Sequence, residues 1–154
     1  MENINYDDFK KMDMRMGWIR FVEPVEGTDK LLRFEIDFGG LPKKECLQNC
    51  EGVCDCDTQC DKEGCLESCI CDLPAFGKDE YKGRDVRQIV SGVRESFPKY
   101  ESLLGKKALY ILNLEPREIR GVMSHGMLMA VDGIDGKPVF LIPEGVIEAG
   151  SAVR

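Results

Sequence analysis

All eight cysteines of this 154-residue chain fall between positions 46 and 71, in the stretch CLQNCEGVCDCDTQCDKEGCLESCIC. They form two quartets. Cys46, Cys50, Cys54 and Cys56 read C-x3-C-x3-C-x-C; Cys60, Cys65, Cys69 and Cys71 read C-x4-C-x3-C-x-C. The last three of each quartet are related by a constant offset of fifteen residues. A repeated four-thiolate unit is the donor set that a four-coordinate metal or a cubane iron–sulfur cluster requires. The chain contains no C-x2-C step, so its spacing matches neither the commonest zinc knuckle nor the ferredoxin run. Two iron–sulfur (4Fe-4S) clusters are the favoured occupants. Zinc is the alternative, and disulfides or free thiols are the remaining reading. Division into quartets by sequence order also stays open, because a cluster can borrow a ligand from its neighbour's run.

The same stretch is short of apolar surface. Between Pro42 and Gly83 the only Leu, Ile, Val or Phe residues are Leu47, Val53, Leu66, Ile70, Leu73 and Phe76. Ordering a residue costs about 1.5 kcal/mol, which so few apolar side chains cannot offset. A structural metal site contributes on the order of 10 kcal/mol. Without metal, this segment is expected to be disordered.

Compartment bears on that choice. The chain has no run approaching the roughly 18 apolar residues of a membrane span. Its start, MENINYDDFKKMDMRMGW, lacks the basic end and apolar centre of a secretion signal. A cytoplasmic protein without membrane insertion is expected, and cytosolic thiols are kept reduced, which favours metal over disulfides.

The flanks read as a β-rich domain. MRMGWIRFVEPV has strand character and is followed by a turn at EGTDK. LLRFEIDFG alternates Leu32, Phe34, Ile36 and Phe38 against Arg33, Glu35 and Asp37, the period-two signature of a half-buried strand. RDVRQIVSGV is a third strand, KKALYIL a fourth after the helical turn FPKYESLLG, and IRGVMSHGMLMAV a fifth. A helical lead is expected at Tyr6–Met12. The fold class is therefore all-β: an OB-type five-stranded barrel with a short N-terminal helical segment and a Cys-rich metal- or cluster-binding insertion between strands 2 and 3. The domain occupies residues 1–40 and 84–154, and the insertion residues 41–83.

The runs DKLLRFEIDFG, RQIVSGV and NLEPREIRGVMSHGMLMA resemble the tRNA-binding domain family, whose OB-fold module is appended to methionyl-tRNA synthetases and also occurs as free-standing tRNA-binding and chaperone-like proteins. The resemblance runs from Asp8 to Gly40 and resumes from Arg84 to Arg154. Its motifs fall in order: Lys30 in DKL, Ser91 and Gly92 in VSG, and Asn113, Pro116, Arg120, Gly121, Ser124, Gly126 and Met127 in the final run. The tail PEGVIEAGSAVR resembles the extension through which free-standing members form homodimers. The resemblance implies a non-catalytic module that binds tRNA, with candidate contacts at Lys30, Arg84, Arg87, Ser91, Asn113, Arg117, Arg120, Ser124 and Met127.

Charge pulls against nucleic acid. The chain carries a net −7. From Leu41 to Gly83 there are five Lys against ten Asp or Glu, a net −5, which leaves −2 for the flanks. Glu115 and Glu118 stand where the family usually carries lysine, and acids on a phosphate-facing loop repel RNA. A second reading follows: a redox-responsive regulator that docks on a protein partner through the OB scaffold and the cluster loop, without RNA. An enzyme is least favoured. The single histidine, His125, has no cysteine outside the cluster to pair with, and nothing resembles a flavin or nicotinamide motif.

Overall fold

The computed structural model describes residues 3–40 and 83–154. All eight cysteines, and with them the expected metal sites, lie outside the described residues.

The chain enters through α1 (Tyr6–Lys10), whose first turn is fixed by the Asn5 side chain accepting from the Asp8 amide at 2.8 Å. Asp7 and Asp8 sit where the helix dipole favours acids. Then come β1 (Met14–Pro24), β2 (Leu32–Gly40), β3 (Arg84–Ser91) and β4 (Lys107–Ile111), with short 3-10 turns at Arg94–Ser96 and Tyr100–Leu103 between the last two. These four strands and the helical turn lie where the alternation and turn residues predict them. Among the described residues no helix is long and apolar enough to cross a membrane.

The expected fifth strand is not one strand. The segment 117–132 breaks into β5 (Arg117–Ile119), β6 (Val122–Ser124), β7 (Met127–Leu128) and β8 (Ala130–Asp132), the last pairing with β9 (Pro138–Phe140). The reason is a change of partner. β5 and β6 form a hairpin with each other, whereas β7 adds to β4. Gly126 makes the crossing between them: a Cβ there would lie 2.8 Å from the Ile111 carbonyl oxygen, so only glycine lets the backbones approach.

The main sheet has the order β3-β2-β1-β4-β7, with every pairing antiparallel. It curls into a half-barrel. The His125 amide donates to the Gln88 carbonyl at 2.9 Å and the Val90 amide to Ser124 Oγ at 3.0 Å, which lays β6 beside β3. Inside sit Ile19, Val22, Leu32, Phe34, Ile36, Phe38, Ile89, Ala108, Tyr110, Leu112 and Leu128, with Phe38 and Tyr110 edge to face at 5.4 Å. The connection from β1 to β2 lies at the Leu32–Ser91 end of the sheet; Gly40 pairs with Arg84 at the other, where residues 41–83 depart. The tail returns antiparallel to the first half of β1, with Met16 donating to Ser151 and Val153 to Met14.

One expectation for β2 is overturned. Its polar face does not meet water: Arg33, Glu35 and Asp37 are all buried. They are buried because arginines on the neighbouring strands and on β2 itself neutralise them, a cross-strand arrangement that a single-strand pattern does not reveal.

Candidate nucleic-acid interface

The β1–β2 connection, the end of β3 and the β5–β6 hairpin converge at one end of the half-barrel. Lys30 is exposed there, and its carbonyl accepts from the Arg94 amide at 3.1 Å. Ser91 pairs with Leu32 beside it. Ser124 is buried; it accepts from Val90 and donates to the Gly126 carbonyl at 3.1 Å, so its hydroxyl joins β3 to the β6–β7 crossing. Arg117 lies opposite Ser124 on the hairpin and is exposed. Arg120 occupies the hairpin tip at φ 55, with Gly121 at φ 79; two successive positive values make a type I′ turn. Glu115 and Glu118 are exposed on the same segment.

The remaining candidates are placed differently. Asn113 accepts from the Asp13 amide at 2.8 Å and donates to the Lys11 carbonyl at 2.5 Å, which staples the end of β4 to the chain entering β1. Met127 is 45% exposed, opposite Ile111. Arg87 gives Nε and Nη2 to the buried Asp85 at 2.8 and 3.0 Å, and Nη1 to the Leu112 carbonyl. Arg84 gives Nε and Nη2 to Asp37. The sequence motifs thus place Lys30, Ser91, Arg117, Arg120 and Ser124 together, while Arg84, Arg87 and Asn113 are engaged within the fold.

On the outer face of β1, β2 and β3 the sequence reading named Arg84 as a contact but missed Arg20 and the ionic network that joins them. In OB barrels the face of strands 2 and 3, between the 1–2 and 4–5 loops, is where oligonucleotides lie. Here a bulge between Ile19 and Phe21 inserts Arg20 into β1 and turns it toward Asp37. Arg33 donates Nε to Glu23, and Nη1 to both Glu35 and Gln88 at 2.9 Å, and lies 5.0 Å from the centre of the Phe21 ring. Burial pushes the Glu35 carboxyl above its ordinary range, against the opposing pull of Arg33. Its Oε2 has no hydrogen-bond partner. Asp37 goes the other way. Burial pushes it up, but donors from Arg84, the Gly39 amide and Arg20 outweigh that and hold it below the usual carboxylate range. A signal was present: charged residues at alternate positions of a strand interior, where Asp and Glu are depleted.

Comparison with known proteins places this arrangement. The tRNA binding domain family matches residues 78–152. Residues 78–152 belong to the tRNA-binding domain family. The matched span begins after the cysteine-rich segment, yet the sheet of this tRNA-binding domain also requires β1 and β2 from before it. Alignments with relatives cover both sides. The methionine–tRNA ligase of Parabacteroides distasonis is 31% identical over 153 residues, 99% of this chain and 16% of that enzyme. That of Xanthomonas campestris pv. campestris is 33% identical over 139 residues, 90% of the chain and 14% of the enzyme. The chain therefore spans about a sixth of those relatives. Among solved structures, a MetRS-related protein from Pyrococcus horikoshii superposes with a TM-score of 0.65 at 24% identity, covering all of both chains. The chaperone CsaA of Bacillus anthracis does so with 0.63 at 18%, covering 99% of this chain and all of its own. Both share the fold. The tRNA-binding domain is a non-catalytic binding module.

Proposed function

We propose that this chain holds folded tRNA, through the end of the half-barrel where Lys30, Arg117 and Arg120 stand exposed. The observation that carries this reading is the convergence there of three segments far apart in sequence, DKL, VSG and S-x-GM, joined by the Leu32–Ser91 pairing and the bond from the Val90 amide to Ser124 Oγ. The relatives are ligases that charge a tRNA, which supports the choice of RNA. Arginine and lysine contacts fix the position of phosphates, and recognition rests on the shape of the folded RNA. Ser91 lies in the same region, whereas Met127 on β7 and Asn113 at the end of β4 stand apart from it.

Glu115 and Glu118 limit the cationic surface, so binding is modest in strength, with a salt slope set by the few phosphates contacted. Anisotropy with labelled tRNA, titrated between 50 and 200 mM salt, tests this. A falling affinity along that series is expected; absence of binding even at the lowest salt sinks the reading. In that case the same two glutamates favour the second reading, a regulator docking on a protein partner.

Two further parts complete the proposal. The eight thiolates, Cys46 to Cys71, hold iron–sulfur clusters or zinc, which stabilise the insertion or gate binding by redox state. Anaerobic purification with metal and sulfide analysis decides between them, and a metal-free preparation removes this part. The protein acts as a cytoplasmic homodimer. In support, Val131, Ile134, Leu141, Ile142 and Val146 are exposed around the C-terminal segments. Light scattering should give twice the chain mass, and Ile142→Glu should halve it.

A further inference from the structure

The geometry points to an anion site on the outer face of β1–β3, where Arg20 and Arg84, locked side by side by the Asp37 carboxylate, form a seat for one phosphate group. Asp37 is fully buried, whereas the Arg20 and Arg84 side chains are 32% and 36% exposed. The carboxylate therefore lies beneath and the two cations at the surface. Arg20 donates Nε and Nη2 at 3.1 and 3.0 Å, and Arg84 donates Nε and Nη2 at 3.0 and 2.7 Å, all to Oδ2. The Gly39 amide completes the shell at Oδ1, 2.8 Å. Each guanidinium spends its Nε and Nη2 on the carboxylate, and among the described residues Nη1 of each has no hydrogen-bond partner.

Charge counting separates this place from its surroundings. Arg33 faces two carboxylates, Glu23 and Glu35, and Arg87 faces one, Asp85. Among the described residues, it is at Asp37 that two arginines share a single acid, an excess of one positive charge within that set. A tetrahedral oxyanion neutralises that charge and satisfies two adjacent guanidiniums, the geometry for which arginine is suited. The arginines are also preorganised. The β1 bulge aims Arg20, and its guanidinium lies 4.0 Å from the centre of the Trp18 ring, so little side-chain entropy remains to be lost on binding. Asp37 is the positioning residue.

The seat lies seven residues along β2 from Lys30, roughly 20 Å at about 3.3 Å per residue. An RNA strand crossing this face would meet cations at both ends. Only the owner of the phosphate, RNA backbone or free anion, rests on the tRNA reading.

The test uses the full chain. Inorganic phosphate is titrated while the arginine Nε–Hε resonances are followed by NMR, with chloride at matched ionic strength as control. Saturable, phosphate-specific shifts at Arg20 and Arg84 are expected, and Arg84→Gln should abolish the shift at Arg20. Wild-type resonances that phosphate moves no more than chloride overturn the site. Unchanged amide spectra establish that Arg20→Gln and Arg84→Gln remain folded, and Asp37→Asn gives an independent loss of the seat. For RNA, each arginine variant should bind tRNA roughly 3–10-fold more weakly, with a salt slope shallower by about 1. Phosphate shifts with unchanged tRNA affinity assign the seat to a free anion. If wild-type protein binds no tRNA, the proposed function fails and the phosphate titration alone decides the seat.

Discussion

Glu35 and Asp37 stand two residues apart on one face of β2, and burial acts on both, yet they titrate in opposite senses. Glu35 has one arginine, shared with Glu23, and an oxygen with no partner. Asp37 has two arginines and an amide. For Glu35 the folded carboxyl binds its proton more tightly than the unfolded one. Above about pH 4.5 ionisation therefore costs stability, increasingly so as pH rises toward the folded value. Glu35→Gln removes that cost, so its melting temperature relative to wild type should climb as pH rises above about 4.5 and level off once pH passes the raised folded value; a difference constant with pH would count against the assignment. Asp37 contributes stability that is present above about pH 3.9 and lost as pH falls through its depressed folded value. Asp37→Asn should therefore destabilise most at neutral pH, by about 3 kcal/mol in chemical denaturation, since it leaves buried arginine edges poorly matched.

At the scale of elements, the β5–β6 hairpin carries a residue poorly suited to its backbone. Arg120 at φ 55 costs on the order of 1 kcal/mol that asparagine, followed by Gly121, would avoid. Arg120→Asn should raise stability by about 0.5–1 kcal/mol while weakening tRNA binding; a variant that is both more stable and equally tight would remove Arg120 from the interface. The C-terminal tail has the opposite character. A Cβ on Gly150 would come 2.0 Å from the Phe38 carbonyl oxygen, and its φ is 84. Gly150→Ala should displace the tail from β1 and lower the melting temperature by several degrees, with hydrogen-exchange protection lost first at Met16 and Val153.

For the whole molecule, the decisive fact is that β2 and β3 pair up to Gly40 and Arg84, and that Arg84 and Asp37 bridge these strands near that end. The sheet is closed there by its own bonds. Replacing residues 41–82 with a five-residue Gly-Ser turn should leave the half-barrel folded. Collapse of the strand signal in circular dichroism would show instead that the insertion is integral to the barrel. Chelation of any bound metal should likewise leave exchange protection in β1 to β4 unchanged.

Amino-acid order alone determined α1, the first four strands and the family. Each depends on near neighbours: an Asn5 cap, period-two alternation on β2, and short motifs kept in order along the chain. The partition of residues 117–132 into four short strands was not legible there, because an apolar run does not say which neighbour each part will pair with. The outer face was hidden for the same reason. Arg33, Glu35 and Asp37 read as solvent-facing until Arg20, carried round by a bulge, and Arg84, from the far side of the insertion, are brought against them. Burial of a charge is decided by its partners, and those partners meet only when the sheet assembles.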